Sequence, residues 1–296
     1  VPTRPPDWFL YLGLAAALAG LAVLGQSLGG PPSAVAPAAG SAPGPSGASR
    51  TLPPASAFDP TITVEAPAAG GPATGTAFSI SSGGFWLTAR HVVEGCARAA
   101  IVVGPGQGVA AEVRTDPWGE TAVLITQGGA PALPLAPRQG LRRGMVAFHA
   151  GFPHGHPGEV VSRLLRRETL VLRGRGTRRE SVLAWEQVEA PDADDDPGAQ
   201  PGASAVPATS LAGLSGAPAL DSRGRVIGVT IAQSRRRRQI YTTTPVALRA
   251  ALTRAHIEPA TGAQAAPMSE GSYGRIAAAL RRDLRIVPVV CLGRQP

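Results

Sequence analysis

From Thr61 onward the chain is written in short β-prone runs, TITVEA, GTAFSI and FWLTARHVV, each closed off by glycine- or proline-rich breaks. Runs of this length between turn residues favour strands over helices. Gly (37) and Pro (30) together exceed a fifth of the 296 residues, and aromatic residues make up only 4%. That balance suits short elements joined by many turns. With 44% hydrophobic residues the chain can still bury a substantial core. The expectation is an all-β barrel or sandwich.

Ahead of these runs the chain is of a different kind. Trp8 to Leu28, WFLYLGLAAALAGLAVLGQSL, carries no charge. About 20 apolar residues, each rising about 1.5 Å, span a hydrocarbon core of ~30 Å. Residues 1–28 therefore read as a transmembrane anchor, with a cleaved signal peptide as the alternative. Either reading exports the rest of the chain. Arg4 precedes the segment and the far side is uncharged until Arg50, which places the N-terminus in the cytoplasm. Residues 29–60 are dominated by Pro, Ala, Gly and Ser, too poor in large apolar side chains to offset the entropy of ordering, and read as a disordered linker.

The formal charge of +8 comes entirely from arginine, for the chain has no lysine. Arginines gather at Arg142 and Arg143, at Arg166 and Arg167, from Arg173 to Arg179, and from Arg235 to Arg238. No aromatic platform or nucleic-acid motif accompanies them, and solvated loop faces are the usual home of such runs, so no nucleic-acid partner is expected. Cys96 and Cys291 fit no CxxC pattern. They are either a single disulfide or two free thiols, and the compartment decides between these. In an exported domain one bond would pin the C-terminal tail to the loop after His91.

His91 lies in TARHVVEGC, just past a strand-like run, where a rigid frame can orient an imidazole. Ser215 lies in GLSGAPALDSRGRVIGV, flanked by Gly213 and Gly216 and followed by a strand-turn-strand pattern. The two glycines allow a tight turn in which the N–H groups of Gly213 and Ser215 converge on one point, an oxyanion hole. Ser215 Oγ would attack a carbonyl while His91 takes its proton.

In this order and at this separation, the two motifs resemble those of trypsin-like peptidases of the chymotrypsin fold, in particular the bacterial HtrA-type proteases. The resemblance spans Thr61 to Ala255. It implies two six-stranded β-barrels with a C-terminal helix, a serine endopeptidase acting on polypeptide substrates, and no cofactor. In that family an aspartate that orients the histidine stands in a D-[LIV]-A-[LV]-L motif between the other two. This chain has Glu120-Thr121-Ala122-Val123-Leu124 there. Glutamate keeps the charge and the acceptor but adds a methylene. Asp116, four residues earlier, is a rival orienter, and Glu120 is favoured because it directly precedes the A-x-L strand. GFPHGHPGEV resembles the turn that precedes a strand of the second barrel, and IYTTTPVALRAAL resembles the last strand running into a helix.

The peptidase domain is thus expected over 61–255, with a tail over 256–296 packed beside His91. Within it an amphipathic helix (Ile276, Ala279, Leu280) is followed by a β-like run. No PDZ-like segment is expected. The acidic run Asp192 to Asp196 lacks EF-hand spacing, and His149, His154 and His156 lack a spaced fourth ligand, so no metal is expected. Pocket walls are expected at Ala208 to Leu211 and at Thr230 to Gln233; they hold no buried acid and point to small or medium apolar P1 side chains. The resulting protein is a single-pass bacterial inner-membrane peptidase facing the periplasm, with any partner in the membrane unknown. A catalytically weak scaffold that keeps the fold is the alternative, motivated by Glu120 and by Arg90 before the histidine.

Overall fold

The computed structural model describes residues 51–65, 73–173, 177–188, 212–258, 260, 263 and 265–293. The expected membrane segment, most of the linker, the acidic run Asp192–Asp196 and the pocket wall Ala208–Leu211 lie outside them. Among the described residues no helix is long and apolar enough to cross a membrane.

Thirteen strands carry the fold among the described residues: β1 (Thr61–Glu65), β2 (Ala73–Ser81), β3 (Phe85–Ala89), β4 (Ala99–Gly104), β5 (Gln107–Thr115), β6 (Thr121–Ile125), β7 (Val146–Gly151), β8 (Gly158–Arg173), β9 (Thr177–Gln187), β10 (Pro218–Leu220), β11 (Val226–Ser234), β12 (Gln239–Thr243) and β13 (Ile286–Cys291). Three helices punctuate them: α1 (Arg90–Val93), α2 (Pro245–Arg254) and α3 (Tyr273–Arg282). Thr244 caps α2, accepting a hydrogen bond from the Ala247 N–H, with Pro245 in the first turn where its missing donor costs nothing.

The first barrel is closed, in the order β13-β2-β3-β6-β5-β4. β2 and β3 read as nearly continuous buried runs, whereas β5 alternates exposed and half-buried positions, as a strand with one wet face does. The second sheet runs β1-β8-β7-β10-β11-β12-β9, and pairing of β8 with β9 closes six of these strands into a ring. Two six-stranded barrels were the expectation; the second half has the ring of six, and β1 adds a seventh strand to it. Its extra strand has a simple origin. β8 is 16 residues long and pairs with the shorter β7 only through Arg163, so its far end would present an open edge. β1 covers that edge in parallel register, Thr61 to Glu65 against Thr169 to Arg173. The outer ends of β8 and β9 thereby form an arm extending from the ring.

The C-terminal tail does more than pack on the first barrel, because β13 is one of its six strands, between β2 and β4. The preceding α3 buries Ala277 and Leu280 and grips the second sheet. Arg281 donates to Glu159 Oε2 at 2.7 Å, and Tyr273 stacks on Phe148 with ring centroids 5.5 Å apart. Cys96 and Cys291 form a disulfide with Cα atoms 5.5 Å apart, tying the end of β13 to the turn after α1. That bond spans a sequence separation of 195. On the chain-entropy view a loop of this length withdraws about 5 kcal/mol of freedom from the unfolded chain. Replacing both cysteines by alanine is expected to lower unfolding free energy by about 2–5 kcal/mol in chemical denaturation, and an unchanged midpoint would show that the tail is held without the bond.

Candidate active site

The histidine is placed by a strand that ends. β3 stops at Ala89, the chain turns into the four-residue α1, and Val92 and Val93 anchor that turn in the core. The acid is placed by register. Ala89 on β3 pairs with Thr121 on β6, so in an antiparallel ladder the next residues outward, Arg90 and Glu120, stand opposite one another. The Arg90 N–H duly donates to the Glu120 carbonyl at 2.9 Å.

From there Glu120, only 2% exposed, turns its carboxylate to His91, whose Nδ1–H donates to Oε2 at 3.1 Å. Asp116 faces elsewhere. Arg254 of α2 donates to both of its carboxylate oxygens, at 3.0 and 2.5 Å, and the Trp118 N–H donates to Oδ1 at 3.0 Å. Arg90 braces the surrounding chain, donating to the Asp116 carbonyl at 2.5 Å and to Glu94 Oε1 at 2.6 and 3.1 Å.

The serine sits in a turn that only glycines permit at two points. Gly213 has φ +95° and Gly216 has φ +92°. A Cβ on Gly213 would come within 2.5 Å of the Phe152 carbonyl oxygen, and one on Gly216 would collide with the Thr76 carbonyl oxygen. The turn is bracketed from β2 by Thr76, whose N–H donates to the Ser215 carbonyl at 2.8 Å and whose hydroxyl donates to the Gly213 carbonyl at 2.8 Å. The same hydroxyl accepts the Phe152 N–H at 3.1 Å.

From the Phe152–His154 turn, the His154 N–H donates to the Ala212 carbonyl at 2.5 Å. No peptide bond among the described residues is cis, and in a trans peptide the C=O and N–H point in opposite directions. The Gly213 N–H is therefore directed away from that turn.

One further glycine lets the two halves meet. A Cβ on Gly75 would lie 2.7 Å from both Val92 methyl groups and 2.9 Å from the Ser215 carbonyl oxygen. The serine turn and the helix bearing His91 thus close on either side of the same bare residue. Among the described residues no hydrogen bond joins Ser215 Oγ to His91, a looseness common before substrate completes a site.

A family model described as a trypsin-like peptidase domain matches residues 75–229. The chain belongs to the trypsin-like peptidase family. No curated protein sequence matches it. Among solved structures it is similar to the active form of the Rv3671c protease from M. tuberculosis, at 18% identity and TM-score 0.48, covering 66% of this chain and 78% of that one. It is also similar to the HtrA-type protease AlgW with a decapeptide, at 19% identity and TM-score 0.46, covering 62% of this chain and 51% of that one. A third is the apo MamO protease domain from Magnetospirillum magneticum, at 16% identity and TM-score 0.44, covering 62% and 95%.

Beside Ser215 of this trypsin-like peptidase lies a cavity of about 180 Å³, lined in part by Leu214, Thr230, Ala232, Gln233 and Arg235. The wall expected from Thr230 to Gln233 is there, and the arginine run begins on its edge. His149 is fully buried, its two ring nitrogens bonded to Thr230 Oγ1 at 3.0 Å and Ser162 Oγ at 2.7 Å; burial pulls its pKa down to about 3, so it is neutral. His154 and His156 lie on an exposed turn.

Sequence reasoning missed Thr76, and it missed two residues of β9. Arg178 donates from Nε to Glu120 Oε1 at 3.1 Å, and Glu180 Oε2 accepts the Glu120 N–H at 2.8 Å. The arginine cluster 173–179 was the one signal pointing there. Glu180 is half-buried as a residue, but its Oε1 is covered and has no hydrogen-bond partner among the described residues. Burial pushes its pKa up to about 7; the Glu120 N–H pulls it down, the Glu120 and Asp116 charges push it up, and Arg254 pulls it down.

A carboxyl group whose folded pKa lies above its unfolded value binds more protons folded than unfolded, so stability falls as pH rises between the two. From about pH 4.5 to about pH 7, the thermal midpoint of the native chain should therefore decline relative to that of Glu180→Gln. Parallel midpoint curves for the two proteins across that window would contradict the assignment.

Proposed function

We propose that the chain is a membrane-anchored serine endopeptidase that cleaves exported polypeptides with His91, Glu120 and Ser215. The observation that carries the reading is the His91 Nδ1–H donated to a buried Glu120 carboxylate. That hydrogen bond fixes the tautomer and leaves Nε2 unprotonated, the atom that takes the Ser215 proton during attack.

The Gly213 and Ser215 N–H groups receive the oxyanion, a contribution of about 10²–10³ in kcat for each such donor. His91 then returns its proton to the leaving amine. Glutamate does the aspartate's work because the carboxylate is brought to Nδ1 by a side chain held at both ends, and the extra methylene is absorbed within 3.1 Å.

The cavity beside Ser215 is small, and among the described residues no acidic side chain lines it. Small or medium uncharged P1 side chains fit it best. The uncharged run Trp8–Leu28 supports the anchor, and the Cys96–Cys291 disulfide supports an oxidising compartment such as the periplasm. The alternative, a catalytically weak peptidase serving as a scaffold, is motivated by glutamate in the place of the family's aspartate and by Arg90 before the histidine.

A fluorophosphonate probe separates the two. Labelling of the native chain that disappears in Ser215→Ala is expected, and folded protein that stays unlabelled would favour the scaffold. On a peptide library, cleavage after Lys or Arg should fall at least tenfold below cleavage after Ala or Val. A preference for basic P1 residues would overturn the pocket assignment.

A further inference from the structure

Glutamate in the position of the orienting acid has one more rotatable bond than aspartate, so something must choose among its rotamers. In this structure each carboxylate oxygen has a different partner. Oε2 faces His91, while Oε1 accepts from Arg178 Nε at 3.1 Å and lies 3.0 Å from an Arg178 terminal nitrogen. Arg178 reaches Glu120 from 58 residues away, carried on β9 near the tip of the arm that projects from the second sheet.

The guanidinium is itself held. Its terminal nitrogens donate to Glu94 Oε1 at 3.3 Å and Oε2 at 3.0 Å, and Glu94 lies in the turn directly after α1, the helix that bears His91. Arg178 therefore spans from the acid to the helix of the histidine it orients. Burial works against the Arg178 charge, but Glu120 and Glu94 more than offset it and hold its pKa above the usual arginine value. Two residues along the same face of β9, Glu180 takes the Glu120 backbone N–H. One strand thus fixes both the main chain and the carboxylate of a residue in the other barrel.

We propose that Arg178 is a positioning residue of the peptidase reaction: its guanidinium fork fixes the Glu120 carboxylate so that Oε2 meets His91 Nδ1. The proposal deepens the peptidase reading and rests on it. The planar fork matters more than the charge. A guanidinium engages two carboxylates at once in fixed directions, whereas an ammonium is a single point that can satisfy either. A cation beside the acid weakens the attraction of Glu120 for a protonated His91, so a purely electrostatic role would slow the reaction; a positioning role must speed it.

The test uses the full chain in detergent micelles and compares native protein with Arg178→Gln and Arg178→Lys. Saturation kinetics of fluorophosphonate labelling at Ser215 give a maximal rate and a half-saturation concentration. In Arg178→Gln the maximal rate should fall about tenfold or more with half-saturation within twofold, and Arg178→Lys should recover part of it. An unchanged or faster maximal rate, or a change confined to half-saturation, would overturn the proposal.

Histidine-selective ¹⁵N NMR supplies a readout that needs no activity. A hydrogen-bonded Nδ1 proton of His91, assigned by its loss in Glu120→Ala, should be sharp in native protein and broadened in Arg178→Gln. Its persistence unchanged in Arg178→Gln, or its absence from native protein, would equally overturn the proposal. If native protein shows the sharp proton but is never labelled, the peptidase reading fails while the positioning of Glu120 by Arg178 is still decided. Should Arg178→Gln fail to fold, Arg178→Lys with Glu94→Gln carries the test. Broadening and slower labelling in that pair are expected, and native behaviour in both would contradict the role.

Discussion

The carboxylate of Glu120 is the point on which the site depends, because a buried charge must be matched on every side or it will not stay ionised and in place. His91 meets one oxygen, Arg178 the other, and the backbone on either side of the carboxylate is tied to Arg90 and Glu180. The groups that surround it come from α1 and from β9, while Glu120 itself stands on the chain just before β6. Pairing across such distances converts a flexible side chain into a fixed one, and in the proposed mechanism fixing it sets the direction in which His91 presents its second nitrogen.

That arrangement asks the two halves of the molecule to hold still relative to each other. The chain answers with three connections. The arm of β8 and β9 carries Arg178 and Glu180 to the first barrel, and β1 covers its open edge. Thr76 of the first barrel brackets the serine turn of the second half. The tail leaves the second sheet at α3, where Arg281 holds Glu159, and finishes as β13 inside the first barrel, locked by Cys96 and Cys291. Each connection joins residues far apart in sequence, which is why the site is assembled only when the whole domain is.

The same distances explain how much of the site was legible in the sequence. TARHVV and GLSG are local motifs whose residues lie within one turn of each other, and the acid could be found because its strand neighbour, Ala122-Val123-Leu124, follows it directly. The glycines around Ser215 were legible because a positive φ demands them. Arg178 was hidden in an arginine-rich stretch in which nothing local distinguishes it from Arg173 or Arg179; only the register of β9 against β8 turns it toward Glu120. β13 was legible as a β-like run but was assigned to a tail, because its partners, β2 and β4, begin roughly 200 residues earlier. The seventh strand of the second sheet was itself legible, as the run TITVEA, but its place was not, because its partner is the far end of the unusually long β8, distant in sequence.

Substituting the acid by its neutral isostere tests the central claim most directly. Glu120→Gln keeps the shape of the side chain but can offer His91 Nδ1 a donor where it needs an acceptor, favouring the wrong tautomer. The maximal rate of fluorophosphonate labelling at Ser215 should then fall by a factor on the order of 10³ or more. A rate within tenfold of the native protein, with the fold intact, would mean that Glu120 does not orient His91.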